Sequence, residues 1–294
     1  KLIQLNHANI CPLLSHGKVG DNYYADVPLM DGGELNAHDP QVTGNYLDID
    51  QLTDIMQNVA AGMTYLHRHD IIHHGLNPAS VHIDARGKVR VKNLFITRMR
   101  YLLEESKSFS ETEIPIYYIS PELAQNQPEE QASDVFSFGV MFYYFLTSVF
   151  PFAGDTELET VFSRVRQKPQ KKQGGSEVFN EQGQRATSTN MIKYKHPQAP
   201  SSIRDEVPEA LSELVMKCLA SKPNLRPDFN DVSTEINVYK ASQEQAKLAQ
   251  ERRGIVRLPQ DSDGQTTRTR AIPLMKNLSE EKRKVQKKSR KFFK

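Results

Sequence analysis

Apolar residues recur along this chain with two different spacings, and each spacing predicts a different element. From Asp48 onward Leu52, Ile55, Met56, Val59, Met63 and Leu66 return every three or four positions. That spacing places them on one face of an α-helix, with Asp48 as N-cap and Gln51 three residues on. Residues 1–30 instead alternate short apolar runs with turn residues: Ile10-Cys-Pro-Leu-Leu14, His16-Gly-Lys-Val-Gly-Asp-Asn22, then Tyr23-Tyr-Ala-Asp-Val27. This predicts two short strands joined by a turn, after which Asp31-Gly-Gly-Glu34 leads into a loop or short helix. Two more strands are predicted at 80–83 and 89–91 around the turn Asp84-Ala-Arg-Gly87. Residues 96–118, rich in Ser, Thr and Glu, read as loop, and helices are expected at 132–147, 155–167, 207–220 and 228–252, the last closed by Gly254. The polar run Lys168–Ser202 carries too little apolar surface to order itself and reads as a flexible insertion.

Composition changes this picture little. With 38% hydrophobic and 25% charged residues among 294, a packed soluble body is expected. A net charge of +2 supplies no global field for a polyanionic partner. Cys11 and Cys218 match no zinc or redox spacing, which predicts reduced thiols and a cytoplasmic setting. The apolar stretch Phe136–Phe152 falls short of the ~20 residues a membrane span needs and predicts a buried helix. The opening at Lys1, already within an apolar pattern, is expected to lie inside a longer product.

The motifs add chemistry. Ile71-Ile-His-His-Gly-Leu-Asn-Pro-Ala-Ser-Val-His-Ile-Asp84 follows a helix ending Tyr65-Leu-His67 and precedes the strand pair. It resembles the catalytic loop of protein kinases, whose pattern is His-Arg-Asp-Leu-Lys-x-x-x-Asn. In register with it, Gly87-Lys-Val-Arg-Val-Lys-Asn93-Leu-Phe95 stands where that family has a strand and Asp-Phe-Gly, and Ile119-Ser-Pro-Glu122 where it has Ala-Pro-Glu. Ser133-Asp-Val-Phe-Ser-Phe-Gly139 resembles the family's buried central helix, and Leu225-Arg-Pro227 its late arginine motif. The resemblance covers residues 5–238 in the family's order and implies an α+β fold: a mainly helical C-lobe with a small remnant of N-lobe strands. It divides the chain into 1–35 (strands and hinge), 36–240 (C-lobe with the insertion 168–202) and 241–294 (helical extension and basic tail).

The chemistry departs from the family. An active kinase uses the loop Asp as base, and holds magnesium with the loop Asn and the Asp of Asp-Phe-Gly. Those positions are Gly75, Ser80 and Asn93 here, and the loop Lys is Asn77. A missing base alone forfeits ~10²–10⁴ in rate, and magnesium prefers one or two carboxylates beside the phosphates. The resemblance therefore implies a pseudokinase, a binding or regulatory scaffold with no metal site; the rival reading is an atypical active kinase acting on Ser/Thr or Tyr. Asp70 and Asp84, which flank the loop, read as turn formers.

For a nucleotide, the resemblance places Val27 and Met30 at the hinge, Glu34 near the ribose and His82 on the adenine floor. It implies at most weak, metal-independent ATP binding and no other cofactor. It also implies structural roles for His73 and Leu94 in the internal spine, for Glu122 with Arg226 as a buried ion pair, and for Asp134 as acceptor of loop N–H groups. The style of the Asp134 motif is nearest to the tyrosine-kinase-like group.

Ser106, Ser108, Ser110 and Thr112 lie among acidic residues where the family is phosphorylated, but the arginine that would clamp a phosphate is His74. The expected partner is a protein, an active kinase or other signalling protein. The run Lys282-Arg-Lys-Val-Gln-Lys-Lys-Ser-Arg-Lys-Phe-Phe-Lys294 reads as a solvated tail or as a segment that contacts anionic membrane, nucleic acid or an import receptor.

Overall fold

A computed structural model of the protein describes residues 2–20, 22–94, 115–125, 127–152 and 197–254. The helix expected at 155–167, the phosphorylatable positions 106–112 and the basic tail lie outside the described residues. The chain divides into a compact unit, Lys1–Ala246, and a second, Lys247–Lys294.

The first strand is not where the apolar run predicts it. β1 is Ser15–Val19, paired antiparallel with β2, Asn22–Asp26, in the register Val19 to Asn22, with Gly20 at φ 60° in the turn. Residues 9–11 lie instead beside a later strand: Cys11 donates to the Val91 carbonyl at 2.8 Å, Val91 to that of Asn9 at 2.8 Å, and Ile10 forms a parallel bridge with Val91. The apolar residues Leu5, Ile10 and Cys11 thus enter the core without a ladder of their own. The Asn9 amide fixes the segment, donating to the Asn58 amide oxygen and to the Val89 carbonyl.

β3 (Gly33–Glu34) pairs antiparallel with β4 (Val81–Ile83), and β4 with β5 (Val89–Val91), so that Glu34 faces His82 and His82 faces Arg90. Gly32, at φ 90°, passes so close to β4 that a Cβ would stand 2.2 Å from the Ile83 carbonyl oxygen. Only glycine meets both demands. Asp84 closes the β4–β5 turn as expected, its Oδ1 accepting from the N–H groups of Arg86 and Lys88.

Six α-helices are seen among the described residues. α1 is Pro40–Thr43, and α2, Ile49–Arg68, is capped by Asp48, whose side chain accepts from the N–H groups of Asp50 and Gln51. Leu52, Met56, Val59, Met63 and Leu66 are fully buried, each worth about 1.5–3 kcal/mol relative to exposure. α3, Gln131–Thr147, is buried on nearly every side and ends at Ser148 in the left-handed region, φ 61°. Phe138 and Phe142 meet edge to face, and Phe138 meets Phe229 likewise. α4 is Pro200–Ile203, α5 is Glu209–Cys218 and α6 is Phe229–Gly254, running through the glycine expected to close it.

Of the run 168–202, residues 168–196 lie outside the described residues, and the rest is packed. The Gln198 carbonyl accepts from the Tyr143 hydroxyl at 2.9 Å, Pro200 is buried, and the hydroxyls of Ser201 and Ser212 meet at 3.0 Å. Local polarity suggested a free run there, but these bonds to α3 and α5 hold residues 198–203 in the packed body. Among the described residues no helix is long and apolar enough to cross a membrane.

Candidate functional site

The loop between α2 and β4 is built around one carboxylate. Asp134, near the start of α3 and 2% exposed, accepts from the backbone N–H of His73 at 2.8 Å and of His74 at 3.2 Å, and from His67 Nε2 at 2.9 Å. Burial lifts the Asp134 carboxyl, and the His67 bond and neighbouring imidazoles more than offset that lift, holding it below the usual carboxylate range. Asp134 thus collects loop N–H groups, and His67 joins it. The Tyr65-Leu-His67 helix end carried that signal, but its partner lies 67 residues away.

His73 donates from Nε2 to the Lys92 carbonyl at 3.0 Å, while its Nδ1 is buried without a partner. The ring is therefore the neutral tautomer with a bare Nδ1, and burial holds its pKa below the usual value. His73 is fully buried and Leu94 nearly so, both in the interior beneath the site. His74, at φ 62°, donates from Nδ1 to Glu129 at 2.7 Å, and both side chains are almost wholly buried. The place of a phosphate-clamping arginine thus holds an internal pair, in which Glu129 had no sequence signal.

Of the four positions where an active site would carry its charges, Gly75, Asn77 and Ser80 bond within their own loop. The Asn77 side chain accepts from Ala79 N–H at 2.8 Å and donates to the Gly75 carbonyl at 2.9 Å. The Ser80 hydroxyl donates to the Asn77 carbonyl at 2.7 Å and accepts from Asn77 N–H at 3.0 Å, closing a capping box on the 3-10 turn Pro78–Ser80. Ser80 is 1% exposed. Its oxygen and both ends of the Asn77 amide are spent on the loop. Gly75 contributes no side chain, and Asn93 sits at φ 70° beyond β5.

Magnesium is ordinarily held through one or two carboxylates beside the phosphates. These positions offer a committed hydroxyl and a neutral amide, so the donor set does not fit the ion. Among the described residues no group of three or more His, Cys, Asp or Glu side chains is placed to hold a metal.

Val27, Met30 and His82 line a cavity of about 420 Å³ together with Leu5, Leu13, Lys92 and Asn93. His82 is tied in place, Nε2 donating to the Asp31 carbonyl at 2.7 Å. Glu34 stands beside this wall and pairs with the Lys92 ammonium. Its carboxylate also accepts from the Asn36 amide at 3.1 Å, and although burial raises its pKa, the Lys92 bond outweighs this and lowers it. Lys92, the residue before Asn93, is a cation in the cavity wall with no motif to mark it.

Glu122 and Arg226 form a buried ion pair. Arg226 donates to the two Glu122 oxygens at 2.7 and 2.8 Å, to the carbonyls of Ala220 and Ala132 at 2.8 Å each, and to Ser221 at 3.2 Å. All its N–H donors are used. Ser133 adds a 2.6 Å bond to Glu122. Burial pushes the Glu122 carboxyl up, and the Arg226 bonds hold it below its usual range.

A family model described as "Protein kinase domain" matches residues 2–236. The chain is 23% identical over 81% of its length to the serine/threonine/tyrosine-protein kinase HT1 of Arabidopsis thaliana, covering 53% of that protein. It is 26% identical over 85% of its length to calcium-dependent protein kinase 4 of Plasmodium falciparum, covering 46%. With the serine/threonine-protein kinase PknB of Mycobacterium leprae it shares 29% identity over 56% of its length, 27% of that protein. The chain thus spans about half or less of the length of these curated relatives.

Proposed function

The chain belongs to the protein kinase domain family, and within that family we propose that it is a pseudokinase: a binding or regulatory module that does not transfer phosphate. The observation that carries this reading is the closed loop of Gly75, Asn77 and Ser80, where the groups that should face a nucleotide bond one another instead. Phosphoryl transfer rests almost wholly on positioning and electrostatic stabilisation. With Asn93 also neutral, no carboxylate remains at the base or metal positions. Meanwhile the shape-holding groups, Glu122, Arg226, Asp134 and the buried His73, stay fully engaged apart from one imidazole nitrogen. The module's partner is another protein, a kinase or signalling protein, and its site of action the cytoplasm. Within the family its place is the tyrosine-kinase-like group, by the style of the Asp134 motif. The basic tail adds an affinity for anionic membrane or nucleic acid.

One observation favours a second reading, an atypical active kinase: the relatives are named as kinases. Titration of the chain with a fluorescent ATP analogue separates the two. The pseudokinase reading expects weak binding that magnesium does not improve. Tight binding that requires magnesium would overturn it.

A further inference from the structure

We propose that a second cleft, between the β4–β5 turn and the hinge, docks an acidic segment of a partner protein, with Arg86 and Lys88 taking its carboxylates and Leu29 its apolar side chain. The inference goes beyond the pseudokinase reading, since such a surface serves the chain whether or not it transfers phosphate. The cleft, of about 510 Å³, is lined by Arg86, Lys88 and Arg90 from the turn and β5 and by Pro28 and Leu29 from the hinge. In a chain whose net charge is only +2, three cations in one cleft are a local concentration. Two carboxylates, Asp31 and Asp84, share the lining. Asp84 is spent on the fold: its Oδ1 accepts from the N–H groups of Arg86 at 2.9 Å and Lys88 at 2.8 Å, and its Oδ2 lies 3.6 Å from Arg90. The turn is thereby fixed, while the exposed side chains of Arg86 and Lys88 make no ion pair among the described residues.

On the hinge wall Leu29 is fully exposed, at 103%, and Val27 beside it is 52% exposed. Arg90 reaches the Met30 sulfur at 3.9 Å, which joins the two walls. The cleft thus sets uncovered apolar surface against unpaired cations, and each constrains the partner. A purely apolar segment would cover Leu29 but leave the cations without counter-charge as water is excluded. A segment that carries Asp or Glu next to an apolar side chain satisfies both, and the Arg86 guanidinium can take a carboxylate through two parallel bonds. A nucleic acid is the poorer complement, because its phosphates would meet Asp31 and Asp84 and it offers no aliphatic side chain to Leu29. Neither Arg86 nor Lys88 lines the 420 Å³ cavity, so their substitution tests this cleft alone.

The probe is a phage-displayed library of random linear peptides selected on the full chain, with the enriched peptides labelled and titrated by fluorescence polarisation. Enriched sequences should place paired Asp or Glu beside Leu, Ile or Phe. Charge reversal by Arg86→Glu together with Lys88→Glu should weaken their binding about tenfold or more. Leu29→Ser should weaken it severalfold. Because all three side chains are exposed, the thermal midpoint should not move, which separates lost docking from lost folding. Failure to enrich acidic sequences, or an affinity that survives the charge reversal, would overturn the proposal. So would a single-stranded oligonucleotide or a phosphatidylserine vesicle that binds through Arg86 and Lys88 more tightly than every selected peptide. Phosphate incorporation reports on the pseudokinase reading and peptide affinity on this cleft, so the two fail separately.

Discussion

The guanidinium of Arg226 meets the carboxylate of Glu122 through two hydrogen bonds of 2.7 and 2.8 Å, with side-chain exposures of 0% and 4%. Residues 104 positions apart are thereby locked together beneath the start of α3, and the Arg226 carbon centre also lies 5.0 Å from the centre of the Phe136 ring. Neither group can be removed without leaving the other charged and buried.

Arg226→Met is accordingly expected to destabilise the chain by about 3–5 kcal/mol, the cost of breaking a buried pair from one side. Chemical denaturation with the slope held free measures it. A loss under 1 kcal/mol would mean that the pair is not a principal support.

Acid should weaken the fold in two stages. His73 is neutral in the folded chain with its pKa held below 6.5 by burial, so below about 6.5 the unfolded chain binds the extra proton and stability falls with falling pH. Asp134, held below its usual range, adds a second loss at lower pH, as its carboxylate is protonated. Thermal midpoints between pH 7.5 and 5 should decline in the parent chain and decline less in His73→Phe. Equal slopes in both would remove His73 from the account.

Ser80→Ala breaks the capping box on Pro78–Ser80 and should cost about 0.5–2 kcal/mol. The thermal midpoint reads it. No change would mean that the Asn77–Ser80 bonds do not hold the loop and that these groups are free to turn toward a metal.

Gly139→Ala tests how closely α3 packs on α5. A Cβ there would stand 2.7 Å from the Cys218 Cβ, in a site where Cys218 is fully buried and its thiol pKa is pushed up to about 12. Overpacking of this kind costs about 1–3 kcal/mol, read as a lowered denaturation midpoint. A neutral or stabilising effect would show that the helices part freely.

Periodicity made α2 legible and a continuous apolar stretch made α3 legible, because their partners are the rest of the core and any apolar surface will do. The order of the motifs likewise placed the loop, the strand pair and the Glu122–Arg226 pair. The first strand was misplaced for the opposite reason. Ile10–Leu14 is more apolar than Ser15–Val19, but the turn at Gly20 selects the hairpin, and Ile10 is claimed by Val91. The contacts that define the site were illegible in kind: Lys92 with Glu34 across 58 residues, His74 with Glu129 across 55. Each side chain alone looks like surface charge, and only the fold makes them partners. The self-capping of Asn77 and Ser80 is local, yet the family pattern drew attention to what those residues lack rather than to what they bond.

The most direct test of the central claim is transfer of labelled γ-phosphate from ATP by the full chain, to itself and to a general protein acceptor, with magnesium and with EDTA. The account predicts incorporation no greater with magnesium than without it. Magnesium-dependent incorporation that Ser80→Ala abolishes in this same chain would contradict it.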